Sequence, residues 1–195
     1  MTLIKSLKSS RKKQRKMHRK IAVLDTFVPS KEKMEESLRK YYTHIDVKSL
    51  SLLSSAKNPS AKENTHGSTV LFELTRPLWD VEVTCLEVLG QNGAGTPQDI
   101  YNALHWCLKN DFDWIHTSTG YGEGGFFFQR KMQGLSRKLH KQKKVLTASA
   151  GNLFGQAVMY PAAFPEWLAI GADAAFASQG EEVMFSLTEK KTVSQ

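Results

Sequence analysis

Asp25, His66 and Asn152 are the residues of this chain whose types could make a chemistry if they met. An aspartate can fix the tautomer of a histidine and stabilise its imidazolium, and the histidine can then deprotonate a nucleophilic hydroxyl. An asparagine amide can donate to the oxyanion that develops on an attacked carbonyl. Asp25 ends the β-prone run Ile21-Ala22-Val23-Leu24, at the kind of position where open α/β sheets put functional groups. His66 precedes apolar residues at helical spacing (Val70, Leu71, Leu74, Leu78), so its imidazole falls at the first turn of a partly buried helix. Asn152 follows the strand-like stretch Val145 to Ala150 and Gly151. Spacing alone does not join residues this far apart. A loop-capping aspartate and a structural histidine are the plain alternatives.

Gly120-Tyr121-Gly122-Glu123-Gly124-Gly125 offers a second chemistry. It satisfies G-x-G-x-x-G after a strand-like segment and before a helix-like one, the pattern of a dinucleotide-binding turn. That motif also needs an acid about 20 residues further on to hold the ribose hydroxyl. No Asp or Glu occurs between Glu123 and Glu166, and Phe126-Phe127-Phe128 is bulky beside a phosphate cradle. A dinucleotide-binding domain is therefore only a remote alternative. No HExxH or similar spacing supports a metal site, and Cys85 and Cys107 stand in apolar runs as buried free thiols outside any CxxC pair.

The elements that must hold these residues alternate in type. Met34, Leu38, Tyr41 and Ile45 keep helical steps after Ser30, Val47 to Leu53 reads as a strand, and Ser54 to Asn64 as a polar loop. Val81 to Leu89 alternates as a strand. Gly90 to Gly95 then turns the chain into a helix, with Thr96 as N-cap, Pro97 at the first helical position and Asp99 closing a capping box. Ile100, Ala103, Leu104, Cys107 and Leu108 are the buried face of that helix. Asp113 to Thr119, Val145 to Ala150 and Trp167 to Ala172 are further strands, and Phe126 to Lys143 a further helix. This alternation implies βαβ units and a doubly wound α/β fold, its parallel sheet covered on both faces.

Charge divides the chain in two. Nine of the 27 Lys and Arg lie in residues 1–20, without an acid, which leaves 18 against 19 acidic residues in the rest. The formal net charge of +8 therefore belongs to a basic tail, residues 1–20, read as a solvated arm. Any nucleic-acid contact is confined to that tail, and residues 21–195 form one nearly neutral domain. No run is apolar and long enough for a signal-peptide core or a membrane span, which favours an intracellular location.

Several segments together resemble the subtilisin-like serine proteases, the subtilases. Ile21-Ala22-Val23-Leu24-Asp25-Thr26 is similar to the family's aspartate strand, and His66-Gly67-Ser68-Thr69-Val70 to its histidine motif, H-G-T-H-V. Ala148-Ser149-Ala150-Gly151-Asn152 resembles the segment with the oxyanion-hole asparagine. Val83 to Gly120, Tyr160-Pro161-Ala162 and Ala169-Ile170-Gly171-Ala172 extend the likeness, which runs from about Ile21 to Ser186. The resemblance implies peptide-bond hydrolysis through an acyl-enzyme, acting on a peptide or protein substrate. Asp25 would be the orienting acid, His66 the general base and Asn152 the oxyanion donor. Ser118, Thr119 and Gly120 match the edge that binds substrate in β-fashion. No organic cofactor is implied; calcium is common in the family, with no ligand assignable here.

The sequence also departs from the family. Phe27 stands where a glycine is usual and could crowd the acid, Thr69 replaces the second histidine of the motif, Leu71-Phe72 replaces a small pair, and Thr119 replaces a leucine. The Gly-Thr-Ser motif that carries the nucleophile at a helix N-terminus occurs nowhere in the chain. The expectation is thus a C-terminally incomplete catalytic domain, inactive alone, with apolar faces left for a covering partner. A non-catalytic, peptide-binding pseudoprotease is the alternative. Two geometric expectations accompany it: Asp25, His66 and Asn152 share one cleft, and the Tyr160-Pro161 bond is cis.

Overall fold

The computed structural model of the protein describes residues 19–26, 45–51, 66–75, 81–90, 92–173 and 175–187. The helix expected after Ser30, the loop from Ser54 to Asn64, and Phe27 and Leu78 lie outside the described residues, as do residues 1–18 of the basic tail.

Ile21, Ala22, Val23 and Leu24 are each at most 1% exposed. Four consecutive buried residues need cover on both faces of a strand, so β1 (Arg19–Thr26) takes the middle of the sheet. It runs parallel to β3 (Val81–Leu89) on one side and to β4 (Trp114–Thr117) on the other. β2 (Ile45–Ser51) lies outside β3, while β5 (Val145–Ser149), β6 (Leu168–Ala172) and β7 (Val183–Leu187) continue from β4. The order is β2-β3-β1-β4-β5-β6-β7, and every pairing is parallel. Arg19 and Lys20, counted with the basic tail in the sequence, open β1 opposite Val81 and Glu82. β7 was not anticipated: its Met184 and Phe185 are exposed and give no strand-like alternation.

Among the described residues three helices pack on the sheet: α1 (His66–Thr75), α2 (Pro97–Lys109) and α3 (Phe126–Lys141). The start of α2 follows its sequence: Asp99 N–H donates to Thr96 Oγ1 at 3.2 Å and Thr96 N–H to Asp99 Oδ2 at 2.9 Å. Strand side chains alternate between faces. Ala22, Leu24, Leu86 and Val88 therefore join Ile100, Ala103 and Leu104 of α2 and Met132, Leu135 and Leu139 of α3 in one core. Ile21, Val23, Val81, Val83 and Cys85 meet Leu71 of α1 on the other face.

The placement of α1 has a topological meaning. The steps β2–α1–β3 and β3–α2–β4 move the same way across the sheet, yet pass over opposite faces. They are therefore of opposite hand, and β4–α3–β5 agrees with the second. Parallel crossovers are right-handed in about 98% of cases, so β2–α1–β3 is the left-handed one. With three right-handed steps all three helices would share a face. The left-handed step winds the sheet doubly and carries His66 to the face opposite α2 and α3.

On that face α1 packs against β3 and β1. Over β4 and β5 the same face carries Trp114, His116, Thr147 and Ser149, and no described helix packs there. The chain also turns both ways from β1, towards β2 first and past β1 to β4 later. A crevice is expected at the C-terminal ends of strands at such a point. The Tyr160-Pro161 peptide bond is cis.

Candidate active site

The end of β1 is tied to the start of α1. The β1–β3 register shifts between Asp25 and Thr26, leaving Asp25 opposite Glu87 and Thr26 opposite Leu89. An irregularity of this kind re-aims side chains at the end of a strand. Asp25 is 1% exposed, and its Oδ1 accepts from the Thr26 N–H and from His66 Nδ1, both at 2.7 Å. Gly67 N–H donates to Thr26 Oγ1 at 2.8 Å, which satisfies a first-turn amide that has no intrahelical acceptor. Two hydrogen bonds thus span 41 residues of sequence. A carboxylate oxygen only accepts, so the imidazole proton sits on Nδ1 and Nε2 is the proton-accepting nitrogen. Among the described residues Asp25 Oδ2 is buried without a hydrogen-bond partner, and the carboxylate is bonded there through Oδ1.

The His66 side chain is 53% exposed and lines a cleft of about 370 Å³. Val70 and Leu74 of α1 form one side, Ile170, Gly171 and Ala172 of β6 another. Asn152 enters the same cleft from the loop after β5. Backbone bonds shape that loop: Ala150 N–H to Ile170 O, Met159 N–H to Ala150 O, and Ser178 N–H to Gly151 O, each 2.8 Å. Gly151 has φ +105, and a Cβ there would come within 2.6 Å of Met159 Sδ, so only glycine fits just before Asn152.

The structure therefore brings Asp25, His66 and Asn152 to one place, with Ser118 in the wall of the cleft. Thr119 and Gly120 are not among the residues that line it. Tyr121 and Tyr160 exchange N–H···O bonds of 2.8 and 2.9 Å just beyond. A Cβ on Gly120 would lie 2.9 Å from Tyr160 O, so this glycine of the Gly-rich turn serves close backbone packing. His116 and Ser149 also line the cleft and were missed in the sequence. Their signal was strand parity: His116, Thr147 and Ser149 are polar residues on one face of β4 and β5. Both cysteines are buried and free, and burial pushes each thiol up to about 12. No three His, Cys, Asp or Glu side chains gather into a metal site among the described residues, so no calcium ligands are assigned.

The sequence model of the subtilase family matches residues 18–192. The chain belongs to the subtilase family. The minor extracellular protease Epr of Bacillus subtilis (strain 168) is 28% identical over 114 residues, which are 55% of this subtilase and 17% of the relative. Among solved structures, a lanthipeptide protease superposes with a TM-score of 0.68 at 19% identity, over 87% of this chain and 55% of that one. The psychrophilic subtilisin-like protease Apa1 from the Antarctic psychrotroph Pseudoalteromonas sp. AS-11 gives 0.67 at 17%, over 88% and 41%. At these identities the likeness establishes the fold. The chain spans little more than half the length of these structures at most, and a smaller part of the Bacillus relative.

Proposed function

We propose that this subtilase chain holds the proton-relay and oxyanion part of a serine endopeptidase. The observation that carries the reading is the 2.7 Å bond from His66 Nδ1 to the buried Asp25 carboxylate, with the ring itself open to a cleft. Asp25 orients the ring and stabilises the imidazolium. His66 Nε2 takes the proton of a serine hydroxyl as its oxygen bonds to the peptide carbonyl carbon. The Asn152 amide donates to the oxyanion that forms, and the amine leaves with the proton from His66. Water then attacks the acyl ester by the same relay and regenerates the serine. Sequence 1–195 contains no Gly-Thr-Ser, so the attacking hydroxyl comes from another segment, in the same polypeptide or a partner. The sheet face beside α1, on which no described helix packs, offers that segment a seat, since a parallel sheet is stable with helices on both sides.

The test is fluorophosphonate labelling and peptide hydrolysis by polypeptide 1–195 and by the gene product extended past Gln195, each beside its His66→Ala variant. We expect 1–195 alone to be inert and an extended product bearing Gly-Thr-Ser to depend on Asp25 and His66. Turnover by 1–195 that His66→Ala abolishes would mean that a hydroxyl within this chain is the nucleophile. An extended product that carries the motif, binds peptide and never cleaves it would leave peptide binding as the function.

A further inference from the structure

His116 lies on β4 between β1 and β5, 7% exposed, with a hydroxyl at each ring nitrogen. Nδ1 is 2.9 Å from Thr147 Oγ1, and Nε2 is 2.9 Å from Ser118 Oγ. Thr147 Oγ1 also accepts from the Trp114 indole N–H at 2.7 Å. Trp114 and His116 share a face by strand parity, Thr147 stands opposite His116 in the register, and Ser118 follows the end of β4. This line of contacts ends at Ser118, in the wall of the cleft that His66 lines.

The line has a direction. An indole nitrogen only donates, so Thr147 accepts from Trp114 and must send its own proton elsewhere. Thr147 is 6% exposed, and among the described residues His116 Nδ1 is the acceptor within reach. A ring that accepts at Nδ1 carries its proton on Nε2 and donates to Ser118 Oγ. The opposite tautomer would give Thr147 two donors and bury its hydroxyl proton without an acceptor, at the full desolvation cost of that group. Burial pushes the His116 imidazole down to about 4, so the ring stays neutral near pH 7. The Ser118 proton is then the one left to turn into the cleft.

We propose that this relay sets the Ser118 hydroxyl as a hydrogen-bond donor to a peptide carbonyl oxygen of the bound substrate, with His116 as its positioning residue. The identity of the acceptor rests on the endopeptidase reading; the direction of the relay does not. Ser118 is a poor nucleophile in this setting. It would have to give its proton to an Nε2 that already carries one, beside a ring that no carboxylate holds as an imidazolium.

Two measurements on polypeptide 1–195 test the proposal. ¹⁵N NMR of the ligand-free protein at pH 7 should find His116 protonated on Nε2, with Thr147→Val shifting the ring towards a mixture of tautomers. A wild-type ring protonated on Nδ1 overturns the relay. Titration with N-acetyl-tetraalanine amide should then show Ser118→Ala weakening binding by roughly two- to tenfold, the value of one neutral hydrogen bond. His116→Leu should match that loss, and His116→Gln, whose amide can donate to Ser118, should recover most of it. Ser118→Ala that binds as the wild type does overturns the donor role alone. A wild-type chain that binds no peptide overturns the peptide acceptor, whatever the tautomer, while the endopeptidase reading is decided by the extended product.

Discussion

The two faces of the sheet are built from the same strands and do different work. The face under α2 and α3 is closed: Leu86, Leu104, Ile115, Met132 and Leu139 are all unexposed, and the Trp167 indole donates to Ser136 Oγ at 2.9 Å within it. Among the described residues, the face under α1 is covered by a helix over β3 and β1 alone. Beyond β1 it turns polar and open, with His66, His116, Ser118, Ser149 and Asn152 around one cleft. Parity separates the two, since odd positions of β1 lead to Asp25 and even ones to Leu24. One residue's slip in register would exchange core and site.

If the comparison holds, the largest effects on stability come from the closed face. Leu104→Ala should cost about 2–5 kcal/mol in urea unfolding, through lost burial and the cavity left between α2 and the sheet. A cost below about 1 kcal/mol would mean that this core is loosely packed.

A pH titration sharpens the contrast on the open face. The His116 imidazole is lowered by burial from 6.5 to about 4, so between those values the unfolded chain binds a proton that the folded chain does not. Its contribution is fully present above pH 6.5 and is lost as pH falls towards 4, on the order of 3 kcal/mol in all. His116→Gln should flatten that part of the stability profile. An unchanged slope in the variant would assign the acid sensitivity to other groups.

Ser136→Ala comes next, at about 1–3 kcal/mol, because it leaves the buried Trp167 N–H without its acceptor. The smallest effect belongs to His66→Ala. Its ring is half exposed, so the loss is limited to the hydrogen bond it gives the buried Asp25 carboxylate, about 1 kcal/mol in thermal unfolding, while His66-dependent chemistry disappears. A large loss of stability there would make His66 a structural residue, the plain alternative that its sequence position left open.

Much of the fold was legible because local signals agreed with the tertiary result. Val81 to Leu89 was a strand in both, and the Thr96–Asp99 cap fell where its sequence put it. β7 was not legible, because pairing with β6 makes it a strand while its Met184 and Phe185 are exposed. For the candidate site, Asp25, His66 and Asn152 were singled out from residue type and family likeness, not from spacing. His116 escaped because a histidine between Ile115 and Thr117 looks like any strand residue until Thr147 is known to lie beside it. Pairing partners from distant strands are what a single sequence conceals.

β1 is early in the chain and central in the sheet, and this sets a timetable for folding. Ile21 pairs with Val83 and Trp114, 62 and 93 residues later. As the chain leaves the ribosome, an apolar strand with two unpaired edges waits through most of that length before either neighbour exists. Unpaired edges of this kind invite pairing with other chains. Closing long loops before their contacts reward it also slows folding. Asp25 and His66 stand on two elements that both precede those neighbours, so the strand that carries the acid is open to other chains before the sheet can enclose it.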